Sequence, residues 1–147
     1  MQTRPNKSKI LTGTSTMAYV NSKARKFMSK VSWKITNDYE DISFLGWTGT
    51  AHKFLGWSGE GSITEYKTSS YFIKELLNAS KTGVIPEIDI IVETENPMTK
   101  ETETLKFIGV QFTEIGDDRE VKAVITNELP FSFEDIEIIN SIKEEGE

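Results

Sequence analysis

Five of the ten glycines fall within the sixteen residues from Gly46 to Gly61, and they frame a tetrad that is stated twice. It reads Gly46-Trp47-Thr48-Gly49 and again Gly56-Trp57-Ser58-Gly59. Glycine admits backbone conformations that a Cβ forbids and lets another backbone or ring come close. Each tryptophan carries a large apolar surface that is costly to leave in water. A flexible arm bearing two of them needs something to lie against. The arm then passes into a strand-like run, Ser62 to Lys67, and into a capped helix, so it belongs to the fold and is not a detached linker. We expect another copy of the chain to be what it lies against.

The stretches on either side read mainly as β structure. Residues 1–12 are expected to form a flexible arm. Thr14 to Val20 is a short strand, and Asn21-Ser22-Lys23 a turn. From Phe27 to Thr36 the chain alternates, with Phe27, Ser29, Val31, Trp33 and Ile35 on one side. That is the period of a strand with one buried face, and it places Trp33 in the core. Asn37-Asp38 is expected to turn, and Glu40 to Leu45 to form a further strand. Thr68, Ser69 and Ser70 offer hydroxyls to cap a helix from Tyr71 to Ala79, closed by Lys81 and Gly83. Its stripe of Phe72, Ile73, Leu76, Leu77 and Ala79 suits a helix that covers a core.

After Pro86 three more strands are expected: Glu87 to Thr94, Thr102 to Ile115, and Arg119 to Leu129. Asn96 to Lys100 and Gly116-Asp117-Asp118 supply the turns between them. In the second strand Thr104, Lys106, Ile108, Val110 and Phe112 oppose Leu105, Phe107, Gly109 and Gln111. In the third, Val121, Ala123 and Ile125 face one way. Glu128 to Asp135 extends the sheet, with Pro130 suited to an edge or a bend. A polar, acidic tail begins at Asn140. About seven strands and one helix point to a mainly β fold, a sandwich or barrel with a helix on its flank.

With 147 residues and 37% hydrophobic content the chain can bury a core of its own. The absence of cysteine removes disulfides, thiolate chemistry and cysteine zinc sites. The first ten residues are polar, and no apolar run nears the ~18 residues of a membrane span. We therefore expect synthesis and retention in the cytoplasm, without membrane anchoring. The net charge of −6 hides an asymmetry: residues 1–37 carry eight basic residues and no acid, while the rest carries nine basic and all 23 acidic residues. Copies of one chain thus carry complementary regions, which favours a head-to-tail contact.

Catalytic patterns are missing. His52 is the single histidine, and it sits in the glycine arm with no nucleophile motif beside it. No phosphate-binding Gly-x-x-x-x-Gly-Lys-(Ser/Thr) occurs, and Gly56, Gly59 and Gly61 precede a strand in the wrong order for a dinucleotide fingerprint. Asp117-Asp118 and Glu144-Glu145 read as solvated acids. No cofactor, metal site or enzymatic activity is expected.

With these features in place, the chain resembles the tail tube proteins of PBSX-type phages and of related phage-tail-like bacteriocins with contractile tails. The matching pieces are Thr48-Gly49 up to His52-Lys53, Gly59-Glu60-Gly61-Ser62-Ile63, Tyr66 to Ser70 followed by the helix, and Glu103-Thr104-Leu105 to Gly109-Val110-Gln111-Phe112. The most specific piece is the ending Glu128-Leu129-Pro130-Phe131-Ser132-Phe133-Glu134-Asp135, similar to that family's Val-Pro-Phe-Thr-Phe-Glu-Asp. The likeness runs from about Leu11 to Ile139, and it sets a tail tube domain at 13–139 ahead of an acidic tail at 140–147.

What the resemblance implies is a β-sandwich or barrel-like fold with one flanking helix and a long glycine-rich hairpin arm. Subunits of that kind form hexameric rings that stack into a hollow tube inside a sheath. Implied partners are other copies of the chain, the tail sheath protein, baseplate and tail terminator proteins, and DNA in the lumen of a phage. The implied place is a virion tail or bacteriocin particle, assembled in the host cytoplasm. Gly46, Trp47, Gly49, His52, Trp57, Gly59 and Gly61 of the arm, with Arg25, Lys26 and Lys30, are the expected inter-subunit contacts. A soluble β-barrel binding module for a ligand or nucleic acid is the alternative, since aromatics beside basic strands can also bind single strands. Images of concentrated protein separate the two.

Overall fold

The structure is a computed structural model that describes residues 4–144. Among them the elements run β1 (Thr16–Val20), β2 (Lys23–Ala24), β3 (Met28–Ser43), β4 (Thr50–Tyr66), α1 (Tyr71–Thr82), β5 (Ile88–Glu95), β6 (Thr102–Phe112), β7 (Asp117–Asp118), β8 (Thr126–Phe133) and β9 (Asp135–Asn140). Short 3-10 turns at Lys7–Lys9 and Gly13–Ser15 precede β1. The expected N-terminal arm and acidic tail lie partly outside the described residues. Within them, the Asn96 side-chain amide donates to the Ser8 carbonyl at 3.2 Å and ties the N-terminal segment to the body.

All strand pairs are antiparallel, in the order β2-β1-β5-β6-β8-β4-β3, with β9 added to β6 and β7 to β8. The ribbon folds over on itself into two layers because β6 belongs to both. Its first part pairs with β5 and β9, and its last residues, Gln111 and Phe112, pair with β8. The corner is at Gly109, whose φ of +68° is open to glycine at little cost. A Cβ there would lie 2.7 Å from the Glu134 carboxylate. Glu134 separates β8 from β9, and its N–H donates to the Ile108 carbonyl at 3.0 Å. Both chain segments therefore change layer at one point.

This corner corrects the simple alternation expected for residues 102–115. Leu105 and Phe107 are buried before it; beyond it Val110 is buried and Phe112 half-buried. An extra residue in a strand turns its following side chains to the other face, so the inward set passes from odd to even numbers. Three phenylalanines then meet at the centre: Phe107 lies 6.0 Å from Phe131 and 5.0 Å from Phe133, edge to face. Ile63, Ile90 and Leu129 pack with them, all essentially without exposure.

The helix lays Phe72, Leu76 and Ala79 over one end of this core. It ends where expected: Gly83 takes the left-handed conformation (φ +74°), and its N–H donates to the Ala79 carbonyl at 2.9 Å. The helix N-terminus is not capped as expected: the Ser70 side chain makes no capping hydrogen bond. Nor is Phe27 on the buried face; it is exposed and Met28 packs on the core, because the β3–β4 register shifts between Met28 and Lys30. Three more expectations fail. Asn37-Asp38 does not turn; β3 runs unbroken for sixteen residues, because β4 pairs with it along its whole length. Residues 119–125 are not a strand, and Val121 and Val124 are exposed. Pro130 lies inside β8, with β4 on one side, where the ladder to β6 gives out and Thr113 donates to the Pro130 carbonyl at 3.0 Å.

Candidate functional site

The β3–β4 hairpin is longer than the body it grows from. β4 pairs with β8 only from Gly59 to Tyr66; from Thr50 to Ser58 its sole partner is β3. At about 3.4 Å per residue, the two-stranded ribbon extends on the order of 25 Å past the end of β8. Among the described residues no strand lies against the outer edge of β3, so its backbone N–H and C=O groups stand ready for pairing. A two-stranded ribbon on its own is marginal in water.

Register shows what the ribbon presents. Residues directly opposite in an antiparallel pair share a face. Val31 faces Ile63, Trp33 faces Gly61, Ile35 faces Gly59 and Asn37 faces Trp57, all on the core side. Between Asp38 and Tyr39 the register shifts, leaving Leu55 without an opposite residue, and Tyr39 then meets Phe54. The bulge keeps Trp57 and Phe54 on one side in spite of their odd spacing. Ring contacts agree: Trp33 lies 5.7 Å from Phe107, Trp57 6.2 Å from Phe133, and Tyr39 5.8 Å from Phe54. The core face of the sheet thus continues outward as an apolar stripe beyond the strands that would cover it. The opposite face carries Lys30, Ser32, Lys34, Asp38 and Glu40 from β3 and Lys53, Ser58, Glu60, Ser62 and Thr64 from β4.

Trp33 is accordingly not the core residue expected. It is 43% exposed, close to the 39% of Trp57, because the second layer ends beside it and covers only one edge of the indole. Trp47 is 71% exposed at the tip, where Phe44 and Leu45 are also bare. The tip is a tight turn: the Trp47 N–H donates to the Phe44 carbonyl at 3.1 Å, with Gly46 at φ +79°. Gly49 packs beside the Trp47 indole. His52 pairs across the ribbon with Asp41, Nδ1 to Oδ1 at 2.7 Å, with both side chains largely in solvent.

Three of the expected contact residues serve the subunit's interior. A Cβ on Gly59 would lie 2.3 Å from the Phe133 ring, and one on Gly61 2.6 Å from that of Phe131. Both glycines let aromatic rings of β8 lie flat on β4. Arg25 is turned inward, with its side chain only 9% exposed. Its guanidinium grips the Glu65 carboxylate with two hydrogen bonds, Nε to Oε2 at 2.8 Å and Nη2 to Oε1. It also lies 4.7 Å above the Phe72 ring, so it locks the helix to β4. Lys26 and Lys30 are exposed.

A second ion cluster closes the other side of the sheet. Lys67 Nζ meets Asp117 Oδ2 at 2.8 Å, and Arg119 Nε meets Oδ1 at 3.1 Å. Hydrogen bonds from Arg119 and Lys67 lower the Asp117 carboxyl to about 2 from its usual 3.8. Among the described residues no three His, Asp or Glu side chains group as metal ligands, and no helix is long and apolar enough to cross a membrane. The arrangement favours docking of backbone edges and apolar side chains. Tyr39, Phe44, Leu45, Phe54 and Leu55 belong to this surface although sequence reasoning passed over them; the signal was the apolar pair Phe54-Leu55 between the two tetrads.

Comparison with known proteins agrees with this geometry. The family profile described as phage tail tube protein matches residues 3–140. The uncharacterized protein YqbM of Bacillus subtilis (strain 168) is 26% identical over 113 residues, covering 74% of this chain and 76% of YqbM. The fold is similar to that of a chain in the tube-terminating cap of the anti-feeding prophage: TM-score 0.71, 11% identity, 96% of this chain and 95% of that one covered. A chain in the sheath–tube complex of the PVC extracellular contractile injection system matches with TM-score 0.70 and 12% identity, covering 90% of this chain and 93% of that one. A chain of the SPP1 tail tube gives TM-score 0.66 and 10% identity, with 91% and 81% covered.

Proposed function

The chain belongs to the phage tail tube protein family, and from that premise we propose that its copies close side by side into six-membered rings which stack into the hollow inner tube of a contractile tail. It is a structural protein of a tail tube, and its family and structural relatives are tail components, not enzymes. In the tube the protruding ribbon lies against neighbouring copies, and the sheath surrounds the stack. A baseplate starts the tube and a terminator caps it; the similar chains from a sheath–tube complex and a tube cap support these partners. The lumen conducts DNA if the particle is a phage, or opens a path for ions if it is a bacteriocin. Assembly takes place in the bacterial host cytoplasm.

The observation that carries this reading is the ribbon with its bare edge. Sixteen residues of unpaired β3 edge, beside exposed Tyr39, Phe44, Leu45, Trp47, Phe54 and Leu55, would be an aggregation hazard on a lone subunit. Ring closure removes the edge, and stacking covers the apolar side chains. A head-to-tail contact that repeats along an axis extends without limit, as a tube must. The test is negative-stain imaging and sedimentation of purified protein over a wide concentration range. Rings of six copies, or stacked tubes, are the expected result. Uniform monomers in every condition would overturn it.

A further inference from the structure

Where β3 runs beside β4 and β8 in the body, the two open edges of its layer are opposite in charge. On one edge stands the body half of β3, with Lys30 and Lys34 on the polar face and Lys26 just before the strand; the acids of β3, Asp38, Glu40 and Asp41, lie farther out on the ribbon, beyond β8. On the other stands β7 beside β8, where Glu114, Asp118 and Glu128 line one shallow depression. The charges lie in cross-sheet rows. Lys30 is opposite Thr64, which is opposite Glu128. Tyr66 is opposite Thr126, which is opposite Asp118. All six charged side chains are exposed, and none has an ion-pair partner among the described residues. Asp117, at the same edge, is already held by Lys67 and Arg119 and faces inward, so it adds no free charge.

We infer that the ring contact joins the basic β3 edge of one copy to the acidic β7–β8 edge of the next, with Lys26, Lys30 and Lys34 meeting Glu114, Asp118 and Glu128. The inference rests on the tube reading and specifies its lateral interface. Strand direction supports it. β3 and β8 run one way and β4, β6 and β7 the other, since each neighbouring pair is antiparallel. Cyclic symmetry preserves direction along the ring axis. β3 of one copy therefore meets β7 of the next antiparallel, and the alternation continues around the ring. Like edges cannot join this way: β3 against β3 sets lysines against lysines and breaks the symmetry of a ring. Charge of this kind sets orientation and encounter rate more than final affinity.

A charge exchange tests it. One variant carries Lys30→Glu and Lys34→Glu, so that both its edges are acidic; a second carries Asp118→Lys and Glu128→Lys, so that both are basic. At low salt each alone should assemble slower than the unmodified protein by on the order of tenfold or more. Mixed in equal amounts they should co-assemble in alternation, which closes only with an even number of copies. A chain carrying all four substitutions should assemble by itself. Assembly of either variant alone at the unmodified rate would overturn the inference, as would a mixture that stays monomeric. Should reversal unfold a chain, Lys30→Gln with Lys34→Gln decides: assembly as salt-sensitive as the unmodified protein's overturns the contact. Failure of the unmodified protein to form rings at any concentration would instead sink the tube reading itself.

Discussion

Gly59 and Phe133 occupy one space: a Cβ on the glycine would lie 2.3 Å from Cε2 of the ring. The two residues are direct cross-strand partners, and the ring of Phe133 also packs on Phe107. Gly59→Ala forces that ring into a filled core, and overpacking of this kind costs about 1–3 kcal/mol. Gly56→Ala is the control, since nothing lies within 4 Å of its missing Cβ. Urea unfolding should show the loss for Gly59→Ala and a change within about 0.5 kcal/mol for Gly56→Ala. Equal midpoints for the two variants would remove the glycine–ring contact from the account.

Arg25→Ala should be among the most damaging changes to a charged side chain. It leaves the Glu65 carboxylate buried without its cation, a loss of about 3–5 kcal/mol. Arg25→Lys should recover only part, because an ammonium cannot make the two parallel bonds of a guanidinium. Lys26→Ala, one residue on and exposed, should leave thermal unfolding within about 0.5 kcal/mol of the parent.

Acid stability should register Asp117. Its folded carboxyl titrates near 2, below the ordinary 3.8, so the unfolded chain binds the proton first as pH falls. The contribution of the Lys67–Asp117–Arg119 cluster is complete above about pH 4 and is lost as pH falls toward 2. Asp117→Asn should flatten the pH dependence of the unfolding midpoint in that window and leave it unaltered above pH 5. A parent and variant with parallel acid curves would contradict the sign worked out here.

The hairpin tip should matter to assembly and not to folding. Leu45→Ser with Trp47→Ser removes exposed apolar area and touches no core side chain. The monomer's unfolding free energy should stay within about 0.5 kcal/mol, while tubes fail to form in negative stain. Backbone amides of residues 36–58 should exchange fast in the isolated subunit and slowly in tubes. A double variant that still builds tubes of normal length would show that the tip faces solvent in the assembly.

The sequence by itself determined the local elements. An apolar stripe and Gly83 set α1, and alternation from Phe27 to Thr36 set β3 though not its first residues, because helix closure and side-chain period act over a few residues. The glycine-rich hairpin and the Phe131–Phe133 ending likewise identified the family. Only the tertiary structure decided which faces are covered. Alternation says which side of a strand a residue takes, but not whether a second layer reaches it, so Trp33 lies on the core side and is still 43% exposed. Bulges beside Gly109 and Leu55 flip the inward set midway along a strand; a strand glycine hints at a bulge, but which one bulges is set by the partner strand. Gly59, Gly61 and Arg25 looked free to make outside contacts. Their partners Phe133, Phe131 and Glu65 stand 74, 70 and 40 residues away in the chain, and only folding brings them together.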